Sequence, residues 1–169
     1  MEGQTIFKVT KSKTVRIATA CVWALVAAVF AVTWYLVFIE PFYILPFIIM
    51  LATTLFVFGL LFYYFAISPK NVEVTDDALV LRRVMGRKVF PYADIEDIGL
   101  WHGKASEMFR FCGCGGFHGF IGWFLGGGLG SHFEYVGRYA DAFYIKLRSG
   151  RTYLLSCDDA EKAVEKVKR

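Results

Sequence analysis

Two long apolar stretches dominate the first part of the chain and limit what it can fold into. Residues 15–39 read "VRIATACVWALVAAVFAVTWYLVFI", with Arg16 near the start as the only charge, and residues 42–67 read "FYILPFIIMLATTLFVFGLLFYYFAI", with none. Each exceeds the roughly 20 apolar residues that cross a bilayer. Core helices of soluble proteins are shorter and carry a polar face, and a cleaved signal peptide has a shorter apolar core. The sequence therefore predicts two transmembrane helices.

Only Glu40 and Pro41 separate the two stretches, so we expect a transmembrane helical hairpin over residues 15–67. The connecting turn has no basic residue, whereas basic residues flank both ends of the hairpin. These are Lys8, Lys11, Lys13, Arg16 and Lys70. Because cytoplasmic flanks carry the excess of Lys and Arg, the pattern predicts a multi-pass protein of the inner (cytoplasmic) membrane. Both termini are then cytoplasmic, with residues 1–14 forming a cytoplasmic N-terminal segment.

Small residues recur on one face of the first stretch. They are Ala20, Ala24, Ala27, Ala28 and Ala31. Small side chains let two helix backbones approach closely, so we expect this face to pack against the second helix, with a dimer interface as the alternative. No ionisable residue lies in the middle of either stretch, which argues against an ion or proton pathway through the hairpin.

The remaining residues, 70–169, suffice for one small cytoplasmic domain. The domain is only mildly basic, which argues against a nucleic-acid partner. Short extended runs are separated by turn residues at Asp76-Asp77, at Gly86 and at Ser149-Gly150, the last forming a β-hairpin. An apolar stripe near the C-terminus predicts a closing helix. Its members are Ala160, Ala163, Val164 and Val167. The segment is thus α+β.

Two motifs in this region resemble the bacterial pleckstrin-homology-like (PH-like) domains, which often follow a pair of membrane spans. The first motif, a V-T-x-x-x-L strand pair followed by P-Y-x-D-I-x-x-I, matches at Val74, Thr75, Leu79, Pro91, Tyr92, Asp94, Ile95 and Ile98. The second, a glycine-rich pattern, matches at Arg110, Gly113, Gly115, Gly116, Gly119, Gly122 and Phe124 and departs at Cys112. The resemblance implies a partly open β-barrel of about seven strands with a C-terminal helix, and no enzymatic activity or cofactor.

The glycine-rich stretch "FCGCGGFHGFIGWFLGGGLG" at residues 111–130 admits several interpretations. A third membrane span is disfavoured because each glycine costs a helix roughly 1 kcal/mol relative to alanine. A phosphate loop is disfavoured because the required spacing and following helix are missing. We expect a glycine-rich loop whose aromatic residues pack on the domain, enter the membrane interface or contact a partner. The candidates are Phe117, Phe120, Trp123, Phe124 and Leu125.

Cysteine and histidine in the same stretch raise the alternative of a metal or redox site. Cys112, Cys114 and His118 supply zinc-type ligands, and His132 and Cys157 could complete a set of four. The C-x-C spacing is not that of paired structural zinc ligands, so the sequence predicts no metal and keeps this cluster as a minor alternative.

The sequence therefore favours a non-catalytic, membrane-anchored binding module that recognises lipid or protein at the inner membrane face. Basic residues flanking the Gly86 turn are the candidates for contact with anionic headgroups. They are Arg82, Arg83, Arg87 and Lys88. The alternative is a scaffold that binds a protein partner or assembles with itself.

Overall fold

The computed structural model describes residues 5–39 and 43–168. Three helices lie in these ranges: α1 (Lys13–Ile39), α2 (Ile44–Ala66) and α3 (Ala160–Val167). Ten strands accompany them: β1 (Thr5–Lys8), β2 (Pro69–Val74), β3 (Ala78–Arg83), β4 (Arg87–Pro91), β5 (Ile95–Leu100), β6 (Met108–Gly115), β7 (Phe120–Gly126), β8 (Ser131–Val136), β9 (Ala142–Leu147) and β10 (Thr152–Ser156). Two long apolar helices followed by a β-sheet domain with a C-terminal helix confirm the predicted α+β class.

The two long helices, α1 and α2, are apolar and almost entirely unburied. Their mean hydropathy reaches 2.3 and 2.5, and both are long enough to cross a membrane. Val15 is the one buried residue of α1 and Met50 the one buried residue of α2, so neither helix lies in a protein core. Ser12 caps the start of α1, because its Oγ accepts a hydrogen bond from the Val15 N–H at 3.2 Å. The turn predicted at Glu40 and Pro41, together with Phe42, lies outside the described residues.

Aromatic rings, not alanines, make the contact between α1 and α2. The Phe58 ring lies 6.3 Å from Trp23 and 5.3 Å from Phe30 between centroids, and Trp34 meets Phe47 edge-on at 6.0 Å. The alanine face is exposed on α1, at Ala20, Ala24, Ala27, Ala28 and Ala31. The expected packing of this face against the second helix is therefore wrong. The rings span the gap between the helices and leave a cavity of about 720 Å³ there, so close backbone approach is not used.

The strands form two sheets that together make a partly open barrel. The first sheet has the order β1-β2-β3-β4 and is antiparallel throughout. The second has the order β5-β9-β10-β8-β7-β6, and its only parallel pair among the described strands is β8 with β10. The predicted hairpin around Ser149-Gly150 is confirmed, since β9 and β10 pair with Ile145 opposite Tyr153.

Side chains from the facing surfaces of the two sheets form the main core. Its fully buried members include Val72, Leu79, Leu81, Phe90, Ile121, Phe143, Ile145 and Leu155. Helix α3 closes one side, where its predicted apolar stripe places Ala160, Ala163 and Val164 against this core. A smaller cluster around Trp101, Val136 and Leu154 covers the other face of the second sheet.

The segment before α1 also belongs to the sheet domain. Strand β1 pairs with β2 in an antiparallel register that puts Phe7 opposite Val72, and both Phe7 and Val9 are buried in the main core. The sequence indicates no strand here, because four residues are too few to show a period. With β1 and a hairpin at residues 108–126, the strand count exceeds the seven or so implied by the resemblance.

Candidate functional site

The glycine-rich stretch forms a β-hairpin from β6 and β7, which corrects the expected loop. Gly113 and Gly122 face each other in the register of the two strands. A Cβ on Gly113 would lie 2.3 Å from the Ile121 carbonyl oxygen, and one on Gly122 would lie 2.2 Å from that of Cys112. The glycines thus allow two strands to approach closely. Because the stretch is extended and no helix follows it directly, the third-span and phosphate-loop interpretations do not apply.

The tip of this hairpin contacts both long helices. The His118 N–H donates a hydrogen bond to Thr19 Oγ1 of α1 at 2.9 Å. The Phe117 ring lies 5.9 Å from Trp23 of α1, and the His118 ring lies 5.1 Å from Phe65 of α2. Burial, and then the nearby Lys11 charge, lower the pKa of His118. The tip is therefore wedged between the first turns of α1 and the last turn of α2.

The Thr19 hydrogen bond gives a direct test of this docking. We expect Thr19→Val to leave the His118 N–H unpaired and to weaken the contact by roughly 1–2 kcal/mol. Hydrogen exchange of the tip peptide should then quicken by about tenfold. The control is Thr33→Val, because Thr33 Oγ1 donates only within its own helix, to the Val29 carbonyl oxygen. Equal exchange in both variants would contradict the docking.

The five apolar candidates of the glycine-rich stretch divide into two groups. Phe117 and Phe124 are buried, and Phe120 packs on Tyr139 with ring centroids 4.7 Å apart. Trp123 and Leu125 are exposed, on the same face of the hairpin. Two residues that the sequence did not single out are exposed further: Phe109 at 66% and Phe111 at 81%. In the sequence "MFRF" these two residues flank Arg110, and this alternation of apolar and charged residues is the signal that could have identified them.

These four exposed side chains form what we call the outer apolar strip: Phe109, Phe111, Trp123 and Leu125. Phe109 lies opposite Leu125, and Trp123 lies opposite Cys112, next to Phe111 at an irregularity in the ladder. Strand β6 is the last strand of its sheet, so the strip lies beside a free sheet edge. An exposed apolar patch at an edge is typical of a contact surface.

The four basic candidates lie around the β3–β4 turn, but three of them are engaged within the domain. Arg82 Nε lies 2.9 Å from both carboxylate oxygens of Glu73. Arg83 Nη2 lies 3.5 Å from the Arg87 carbonyl oxygen, and the Lys88 Nζ lies 4.4 Å from the Tyr153 ring centroid. Arg87 is exposed and makes no side-chain ion pair or hydrogen bond with the described residues. Arg87 is thus the most available of the four to a ligand.

The same turn is attached to the end of α2. The Met85 N–H donates to the Ala66 carbonyl oxygen at 2.8 Å, and the Val84 N–H donates to that of Ser68 at 3.0 Å. Both Val84 and Met85 are exposed. The turn consequently presents two apolar side chains and a neighbouring arginine beside the end of an apolar helix.

The cysteine and histidine candidates do not assemble into a cluster of ligands. Cys112 is exposed, the Cys114 Sγ lies 3.5 Å from the Phe117 carbonyl oxygen, and the His118 Nδ1 lies 3.5 Å from Lys11 Nζ. Within residues 5–39 and 43–168, no three His, Cys, Asp or Glu side chains are grouped to hold a metal ion. Burial raises the pKa of the Cys114 thiol, which opposes thiolate formation.

The other two residues of the suggested ligand set are occupied elsewhere. Cys157 is buried in the main core, where burial raises its pKa to about 12. His132 is fully buried and lies with Nε2 at 3.0 Å from Glu134 Oε1 and Nδ1 at 2.9 Å from the Gly130 carbonyl oxygen. The Tyr139 hydroxyl donates to Glu134 Oε2 at 2.7 Å, and burial beside that carboxylate raises the pKa of Tyr139.

This His132–Glu134–Tyr139 network was not indicated by any motif. The spacing His-x-Glu on one strand puts both side chains on the same face, and that is the signal that could have found it. Both ring nitrogens of His132 lie within hydrogen-bond distance of an oxygen, so the side chain is fully partnered inside the fold. His132 and Glu134 are fully buried and Tyr139 is half-buried, which indicates a structural role for the network.

A comparison with known families agrees with this architecture. A family model described as Bacterial PH domain matches residues 70–169, more than half of the chain. No curated protein and no solved structure gives a match. The matched region contains nine of the ten described strands and the closing helix α3, and the two apolar helices before it fit a transmembrane hairpin. The chain therefore belongs to the bacterial PH domain family.

Proposed function

We propose that the chain is a non-catalytic, membrane-anchored binding module, in which α1 and α2 form a transmembrane hairpin and the PH domain recognises lipid or protein at the inner membrane face. Large apolar side chains point outward along both helices, for example Leu25, Phe38 and Phe56. Such a surface is stable in lipid and unstable in water. The basic residues beside both helix ends favour a cytoplasmic domain.

The observation that carries this proposal is the rigid attachment of the domain to the helix ends. Besides the two hydrogen bonds from Val84 and Met85, the Ser12 N–H donates to the Gly137 carbonyl oxygen at 3.0 Å, just before α1. The bonds from Val84 and Met85 hold the β3–β4 turn where the apolar part of α2 ends, and the bond from Ser12 holds the segment after β8 beside the start of α1. Arg87 would then lie at headgroup depth, where one basic residue contributes about 1 kcal/mol toward anionic lipid.

A lipid-dependent change at this turn tests the proposal. We expect the peptide containing Val84–Arg87 to exchange amide hydrogens more slowly in nanodiscs with phosphatidylglycerol than in phosphatidylcholine alone. High salt should reduce the difference, because exposed charges are screened. Arg87→Gln should diminish it, whereas Arg151→Gln, at the exposed turn after β9, should not. Identical exchange in both lipids would contradict lipid recognition at this turn.

The outer apolar strip favours a second candidate function, a scaffold that binds a protein partner or assembles with itself. A free edge such as β6 can also accept an added strand. On this hypothesis the full chain in detergent forms oligomers that resist high salt, and Phe111→Ser reduces them. Ile6→Ser is the matched control, since Ile6 is an exposed apolar residue on β1. A monomer at all salt concentrations would contradict self-assembly.

A further inference from the structure

Four of the basic residues that were used above to orient the helices line one cavity beside the start of α1. We call it the basic cleft. Its basic members are Lys8, Lys11, Arg16 and Lys70, with Thr10 and Asn71 as polar neighbours. The volume is about 480 Å³. That lies in the usual range of small-molecule sites, roughly 300–1,000 Å³.

Pairing of β1 with β2 brings these residues together from distant parts of the chain. Lys8 lies opposite Asn71 in the antiparallel register, and the Val9 N–H donates to the Lys70 carbonyl oxygen at 2.9 Å. The chain then turns into α1, whose first turn carries Arg16. The cleft therefore exists only because the segment before α1 joins the sheet.

Positive charge in the basic cleft is not balanced by protein carboxylates. No Asp or Glu lines the cavity, and none of its four basic side chains forms an ion pair with an acid among the described residues. The acid that touches the lining is Asp158, which accepts a hydrogen bond from Thr10 Oγ1 at 2.8 Å. Lys11 is partly buried, and burial lowers its pKa. An anion in the cleft would relieve that cost.

The position of the cleft specifies the anion. Arg16 lies in the first turn of α1, Pro69 begins β2 just after α2, and Val84 belongs to the turn bonded to the end of α2. The cavity thus opens between the two helix ends, at the depth of lipid headgroups in the proposed arrangement. Several ammonium and guanidinium donors around one cavity suit phosphate oxygens, which accept several charge-assisted hydrogen bonds at once.

We propose that the basic cleft binds the phosphate headgroup of an anionic phospholipid from the leaflet that surrounds the start of α1. The inference rests on the proposed membrane anchoring and adds a ligand site separate from Arg87. The residues that orient the hairpin would also form its lipid site.

Native mass spectrometry of the full chain in neutral detergent tests this site. Phosphatidylglycerol is titrated against the wild type and against Lys8→Gln/Lys70→Gln, in which both exposed lysines lose their charge. At about 1 kcal/mol for each basic residue, we expect lipid affinity to fall by roughly 30-fold. The control Lys104→Gln/Lys162→Gln removes the same charge from exposed positions outside the cleft and should retain wild-type affinity.

Two further arms make the result decisive. Lys8→Arg/Lys70→Arg should bind nearly as well as the wild type, and circular dichroism should show that all variants fold. Inorganic phosphate is titrated as a second ligand. If the protein bound inorganic phosphate but not phosphatidylglycerol, the ligand of the cleft would not be a lipid. Equal lipid affinity in the wild type and Lys8→Gln/Lys70→Gln would overturn the inference. The exchange experiment on the Arg87 turn would be unaffected by that outcome, so the two failures can be told apart.

Discussion

Glu134→Ala is expected to destabilise the sheet domain by roughly 2–4 kcal/mol, because it leaves two side chains without their shared hydrogen-bond partner. His132 and Glu134 are both fully buried, so the substitution leaves a buried ring nitrogen of His132 without its protein partner. Tyr139 loses its hydrogen-bond acceptor in the same substitution. The measurement is chemical unfolding of the full chain in detergent, followed by near-ultraviolet circular dichroism of the aromatic residues.

The matched control is Glu96→Ala on strand β5, at the opposite end of the same sheet from β6. Glu96 forms an ion pair with Lys146, whose Nζ lies 3.0 Å from its Oε1, but both side chains are about half exposed. Such pairs contribute roughly 0–1 kcal/mol. A loss of less than 1 kcal/mol for Glu134→Ala, or equal losses for the two variants, would show that the buried network does not stabilise the fold.

Gly122→Ala is expected to cost about 3 kcal/mol or more, and in the severe case to prevent folding of the glycine-rich hairpin. The residue has a φ of +143°. Its added Cβ would lie 2.2 Å from the Cys112 carbonyl oxygen and 2.6 Å from the Gly113 Cα. Both obstacles are backbone, so relief requires the two strands to separate. Thermal unfolding and hydrogen exchange across β6 and β7 measure the effect.

Gly128→Ala is the control that separates the steric clash of an added Cβ from the strain of a positive φ. Gly128 also has a positive φ, +80°, but nothing lies within 4 Å of the position its Cβ would take. A left-handed conformation alone costs an alanine roughly 1–2 kcal/mol. If both variants lost the same stability, close strand approach would not be the reason for glycine at position 122.

The parts of the fold that the sequence predicts are those whose signal is local. The two long helices follow from uninterrupted apolar runs, and the β9–β10 hairpin follows from alternation around Ser149-Gly150. The glycine-rich hairpin was expected to be a loop, since glycine has low strand propensity. The reason for glycine at positions 113 and 122 is the facing strand, which only the folded chain supplies. Strand β1 was missed because its stability comes from pairing with β2.

The candidate site shows the same division between local and tertiary information. The sequence identified the basic residues around the Gly86 turn. It could not show that Arg82 pairs with Glu73 on the adjacent strand or that Lys88 lies over Tyr153. Likewise, the basic residues beside the helices suggested orientation alone, because their grouping depends on the β1–β2 pairing. The sequence shows which residue types are present, whereas the availability of a side chain to a ligand depends on the neighbours that the fold provides.

The short passage from helix to sheet limits the reach of the domain. Helix α2 ends at Ala66 and β2 begins at Pro69, so two residues connect them, and one of these, Ser68, is bonded to the β3–β4 turn. Two residues span less than about 10 Å even when fully extended. A domain held this closely can sample only a small volume around the end of α2. In the proposed membrane arrangement, its ligands would have to diffuse within the bilayer plane or arrive at the membrane surface, and encounter rates would depend on their density there.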